Sequence, residues 1–109
     1  MAKRMKENQI MVVIKEPGKA PVVEPLFNNE LKAFQEAVGG YIETVTLAAD
    51  LVIICNEEGR LLGLPSNCKV CGVDFVGTIL AVGRKGDDFS SIKAQNIPSV
   101  LKLLAEHEG

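Results

Sequence analysis

The stretch LVIICNEEGRLLGL, residues 51–64, decides how this chain folds on paper. LVIIC (51–55) is a continuous apolar run rich in β-branched residues, which predicts a strand buried on both faces. NEEG (56–59) is polar, and Gly59 supplies the backbone freedom of a turn. RLLGL (60–64) then predicts a returning strand. Two strands joined this closely can pair only antiparallel. The expectation is a hairpin, and a sheet assembled from such neighbours.

Working outward, IMVVIKE (10–16) predicts a second buried strand and PGKAP (17–21) a turn. VVEPLF (22–27) predicts a short strand, and Pro25 suits a sheet edge or a strand end, because it has no N–H to give to a ladder. YIETVTL (41–47) alternates with period two. Ile42, Thr44 and Thr46 share one side, and Tyr41, Glu43, Val45 and Leu47 the other. PSNCKVCGVD (65–74) reads as an irregular connection, and FVGTILAVG (75–83) as one central strand. RKGDD (84–88) is a turn before a last strand, FSSI (89–92). Two segments predict helices. In NNELKAFQEAVGG (28–40), Asn28 or Asn29 caps the start and Gly39 closes the end. In IPSVLKLLAEHE (97–108), Pro98 fits the first turn. The fold class expected is α+β: a single domain, residues 10–109, with a largely antiparallel β-sheet and one or two packed helices. Residues 1–9 are expected to form a flexible tail.

The chain has 109 residues, 47% hydrophobic and 24% charged, which suits one modest core. A formal net charge of −2 gives no field that favours nucleic acid or an anionic membrane. No apolar run is long enough to span a bilayer. Three cysteines are an odd count and make no disulfide framework, so the chain reads as cytoplasmic with reduced thiols.

Cys68 and Cys71 stand in C-x-x-C spacing, with Cys55 upstream. A structural zinc site needs four donors, and the fourth is missing, since the one histidine, His107, lies near the end of the last helix. The expectation is no metal and no cofactor: Cys55 is a core thiol and the other two are loop thiols. CKVC does not open a helix, so a thioredoxin-like role is disfavoured. No base stands beside a nucleophile, so no enzyme is expected. Gly83-Arg84-Lys85-Gly86 matches the G-x-x-G of a nucleic-acid clamp, but here it joins strands and reads as a plain turn.

The segment NEEGRLLGLPSNCKVCGVDFVGTILAVG (56–83) resembles a family of small proteins catalogued as domain of unknown function 3846. The matching residues are Asn56-Glu57-Glu58-Gly59-Arg60, Gly63-Leu64-Pro65-Ser66-Asn67 and Asp74-Phe75-Val76-Gly77-Thr78. VVIKEPGKAP and VGGYIETVTL look like the same family, so the resemblance covers about residues 10–104. The family pattern places a basic residue after Asn67, where this chain has Cys68 followed by Lys69. The resemblance implies a phage or mobile-element setting, where small proteins often bind host components or signals.

Two functions follow as expectations. The first is sequestration of a small anionic ligand, such as a nucleotide immune signal. Gly39 and Gly40 would let it approach the backbone, and Tyr41 would stack on a base. Arg60, Lys69 and Arg84 would meet phosphates, while Asn56 and Asn67 would read polar edges. Each of these residues also reads as a cap, a strand position or a turn. The second is a protein-interaction module that inhibits a host enzyme, with an exposed strand edge near Pro25 as its docking surface. A homodimer is compatible with either.

Overall fold

The computed structural model describes residues 8–106. Its elements, in chain order, are β1 (Gln9–Lys15), β2 (Val22–Asn28), α1 (Leu31–Val38), β3 (Ile42–Ala48), β4 (Leu51–Asn56), β5 (Ser66–Val70), β6 (Val73–Val76), β7 (Ile79–Lys85), β8 (Asp88–Ser90) and α2 (Ile97–Glu106). A short 3-10 turn, Ala94–Asn96, leads into α2. Six strands form an antiparallel sheet in the order β2-β1-β7-β4-β3, with β8 paired to the far end of β7. β5 and β6 form a separate hairpin. The α+β class and the antiparallel sheet are as the sequence predicts.

The continuous apolar runs are explained by burial on both faces of the sheet. Val52 and Ile54 of β4, Leu80 and Val82 of β7 and Ile10 and Val12 of β1 pack against Phe34 and Val38 of α1. Their alternates Ile53, Ala81 and Val13 face the other way, toward Val70 and Phe75 of the hairpin and Val100 and Leu104 of α2. A strand covered on both sides has no polar side to show, so its sequence does not alternate.

The β2 edge follows the logic of its proline. Ile10 pairs with Phe27 and Val12 with Glu24, so Pro25 and Leu26 together oppose Met11 in a bulge. Gly39 ends α1 with φ 84°, and the N–H groups of Gly39 and Gly40 both donate to the Gln35 carbonyl. Gly39 therefore closes the helix as expected.

Four expectations are corrected. The residues 60–64 form no strand. They are held in successive turns, with the Leu62 N–H on the Glu58 carbonyl and the Leu64 N–H on that of Gly59. Leu61 and Leu62 are left 86% and 57% exposed, so the two leucines did not need a sheet face to fill. The connection at 65–74 is not irregular but holds most of the β5–β6 hairpin. The run 75–83 is two strands, because Gly77 turns the chain with φ 73°. Finally, neither asparagine caps α1. The N-cap is Glu30, without a side-chain cap bond, while Asn29 is buried and donates to the Phe89 carbonyl 3.2 Å away. The predicted tail (1–9) and His107 lie largely or wholly outside the described residues, though Gln9 already belongs to β1.

The β5–β6 turn yields a prediction. Val70 pairs with Val73, and the two loop residues Cys71 and Gly72 have φ 51° and 81°. That pattern matches the hairpin turn that prefers Asn-Gly. A left-handed cysteine costs about 1–2 kcal/mol relative to a residue that tolerates the region. Cys71→Asn should raise the unfolding midpoint in urea by the equivalent of about 1 kcal/mol. An unchanged or lowered midpoint would mean that the turn is not under strain.

Candidate functional site

A cleft of about 460 Å³ opens where β3, the end of β4, the following loop and β6 meet. The volume is in the range of small-ligand sites. Alternation along β3 brings Glu43 and Val45 to it, and β4 contributes Cys55 and Asn56. The loop adds Glu57, Glu58, Gly59, Arg60 and Leu61, and β6 adds Val73, Asp74, Phe75 and Val76. The loop can pass this close because Gly59 has no side chain. A Cβ there would stand 2.7 Å from Val76 Cγ2.

The charges are unequal. Glu43, Glu57, Glu58 and Asp74 are carboxylates, and Arg60 is the one cation among the lining residues. Its guanidinium donates to the Asp74 carbonyl at 2.7 Å. Lys69 Nζ stands 3.8 Å from Asp74 Oδ1. The predicted cations Arg60 and Lys69 therefore come together, but around Asp74. Cys55, 8% exposed, donates through Sγ to the Glu43 carbonyl at 3.6 Å. Burial, and secondarily the Glu43 charge, push its thiol up to about 11. A neutral thiol at ordinary pH is a weak nucleophile and a weak metal ligand.

The remaining predicted residues are placed as follows. Asn56 is 6% exposed and fully engaged. Its Nδ2 donates to the Val38 carbonyl at 3.0 Å, and its Oδ1 accepts from the Glu58 N–H at 2.7 Å. It ties the end of α1 to the turn after β4. Gly40 gives that amide room, since a Cβ would lie 2.9 Å from Asn56 Nδ2. Gly39 and Gly40 thus serve the helix end, and Tyr41, 68% exposed, follows them. Asn67 is 0% exposed, with Nδ2 donating to the carbonyls of Lys15 (2.8 Å) and Gly77 (2.7 Å). Arg84 continues the Leu80–Val82 side of β7, the α1 face, and reaches Thr46 Oγ1 at 3.4 Å. It lies across the sheet from the cleft. The predicted set does not converge on one pocket.

The thiols do not converge either. Cys55 is a core thiol as expected and Cys71 is exposed in the hairpin turn, but Cys68 is no loop thiol: it lies in β5 opposite Phe75 and is buried in the same core. Among the described residues no group of three or more metal-ligating side chains is assembled. No described helix is long and apolar enough to cross a membrane.

The acidic wall was the feature missed in the sequence. Glu57 and Glu58 read there only as part of a polar turn, and both are exposed. What no local pattern displayed is that the turn folds over β6 and aligns them with Glu43 and Asp74. No curated protein and no solved structure matches the chain. A family model does match, over residues 8–105, and it covers every strand from β1 to β8 and nearly all of α2. The chain therefore belongs to the family described as Domain of unknown function (DUF3846).

Proposed function

We propose that the chain is a non-catalytic protein-interaction module whose cleft receives a partner segment with a basic side chain beside an apolar one. One observation carries this reading. Glu43, Glu57, Glu58 and Asp74 against one guanidinium line the cleft around Val45, Cys55, Phe75 and Val76; Asp74 is paired with Lys69, so the excess negative charge rests on the three glutamates. Such a wall repels phosphates and attracts a lysine or arginine. Leu61 at the rim, 86% exposed, offers apolar surface to the same segment. The other expectation, capture of an anionic signal, finds less support. Lys69 is spent on Asp74, Arg84 is on the opposite sheet face, and the amides of Asn56 and Asn67 are engaged inside the protein. A docking role for an inhibitor of a host enzyme fits the cleft reading; a phage or mobile-element setting would be its natural context.

The test is an NMR titration with a short arginine-containing peptide and, separately, a cyclic dinucleotide. The peptide should shift the amides of Glu43, Glu57, Glu58 and Asp74. Its binding should weaken as salt rises, because the contacts are half-exposed and screened. Glu43→Gln combined with Glu57→Gln should weaken it by roughly three- to tenfold, the weight of two partly exposed ion pairs. Tighter binding by the dinucleotide would overturn the reading and restore the anionic ligand.

A further inference from the structure

The cleft sits beside an unfilled place in the sheet. β3 is the last strand of the order β2-β1-β7-β4-β3, and among the described residues nothing pairs with its outer side. The register shows which of its backbone groups face outward. Ile42 pairs with Asn56, Glu43 with Cys55, Thr44 with Ile54 and Val45 with Ile53. One step earlier, the Glu57 N–H donates to the Tyr41 carbonyl at 2.8 Å. Antiparallel pairs alternate between bonded and non-bonded. Tyr41, Glu43 and Val45 therefore turn their N–H and C=O groups inward to β4. Ile42, Thr44 and Thr46 turn theirs outward, to the open edge. The side chains of Glu43 and Val45 line the cleft.

We infer that a partner segment docks by adding an antiparallel strand to β3, with its alternate side chains entering the cleft. This rests on the cleft reading above and specifies its geometry. The residue opposite Thr44 exchanges two backbone hydrogen bonds with it. The residues opposite Glu43 and Val45 form the closer, non-bonded pairs, with side chains on the cleft face. In an antiparallel partner the residue opposite Val45 comes first. The sequence recognised is an apolar residue, any residue, then lysine or arginine.

Charge selects this occupant over a second copy of the chain. Two β3 strands paired about Thr44 would bring two Glu43 side chains diagonally together and set two acidic clefts side by side. A basic segment meets Glu43 with the opposite sign. The other edge is less suited, because Pro25 and its bulge interrupt β2, whereas the β3 irregularity comes only between Thr46 and Ala48.

The experiment uses the full chain and a short acetylated peptide with leucine two places before arginine and threonine elsewhere. Binding should slow hydrogen exchange at the Ile42, Thr44 and Thr46 amides. Thr44→Pro removes an outward donor without touching the β4 ladder, and should weaken binding about tenfold, the worth of one lost hydrogen bond. N-methylation of the peptide residue between leucine and arginine should do the same, while N-methylation of the arginine should not. The methylated peptides give the answer even if the proline variant folds poorly. Cleft shifts with no sensitivity to either change would overturn strand addition and leave the cleft reading standing. Absence of peptide binding would overturn both. Protection of β3 that grows with protein concentration alone would assign the edge to a second copy and overturn the inference.

Discussion

Asn67→Ala should cost about 2–4 kcal/mol of stability, the worth of two buried hydrogen bonds whose acceptors are left behind. For a chain of this size that lowers the melting temperature by very roughly 10–25 °C. The reason is position. Asn67 is the second residue of β5, at 0% exposure, and one amide group holds two other parts of the fold, the end of β1 through the Lys15 carbonyl and the β6–β7 junction through that of Gly77. The orientation is fixed, because only Nδ2 can donate to two carbonyls. Its Oδ1 is buried without a partner among the described residues, which offsets part of the gain. Asn67→Asp should be worse at neutral pH, since a carboxylate would face the two carbonyls with no donor. Protonation returns one donor, so that variant should gain stability as pH falls. Chemical denaturation of both variants at two pH values checks this. An aspartate variant no worse than alanine would show that donation is not what the position supplies.

Gly83→Ala should cost about 3 kcal/mol, at the upper end for overpacking, because rigid backbone blocks the new atom. Its Cβ would stand 2.3 Å from the Ser91 carbonyl oxygen and 3.0 Å from the Ser91 carbonyl carbon. Side chains can rotate away from such a contact, but a main chain must move. Here the moving segment is tied down. Gly83 pairs with Ser90, Ser91 Oγ accepts from the Met11 N–H at 2.9 Å, and the Ile92 N–H donates to the Met11 carbonyl at 2.8 Å. Ile92, 3% exposed, fills the core beneath. Displacing β8 therefore loosens the start of β1 as well. Hydrogen exchange should quicken at Ile92 in the variant while the β3–β4 pairing stays protected. Equal loosening everywhere, or none, would contradict this account.

The parts of the fold legible in the sequence were those whose physics is local. LVIIC and IMVVIKE are buried on both faces and say so by never alternating. Gly39 ends a helix by its left-handed conformation, and Pro25 marks an edge or a strand end by what it lacks. The failures were non-local. RLLGL has the composition of a strand, but β3 and β7, not residues 60–64, pair with β4. The β5–β6 hairpin was hidden because Cys71 occupies a position where asparagine would have announced the turn. In the site, the sequence displays amide and cationic groups without their directions. Asn56 and Asn67 spend their amides on main chain. Arg60 and Lys69 gather at one aspartate, and Arg84 reaches Thr46 on the other side of the sheet. The parity of Arg84 with Leu80 and Val82 was readable, but placing it opposite the cleft required knowing that β4 and β7 are neighbours.

The place of β7 also sets the order in which the protein can assemble. It pairs with both β1 and β4, joining Val13 to Ala81 and Ile53 to the same residue. The β1–β2 and β3–β4 hairpins are each made of near neighbours and can form early. They have no common partner until residues 79–85 have left the ribosome. Until then the apolar strands β1 and β4 each wait with one unpaired edge in a growing chain, the state in which nascent sheets associate wrongly. Closing loops of this length precedes any reward from the contacts, so the final step is slow for a protein of this size. A chain stopped before Ile79 would hold both hairpins and no sheet to join them.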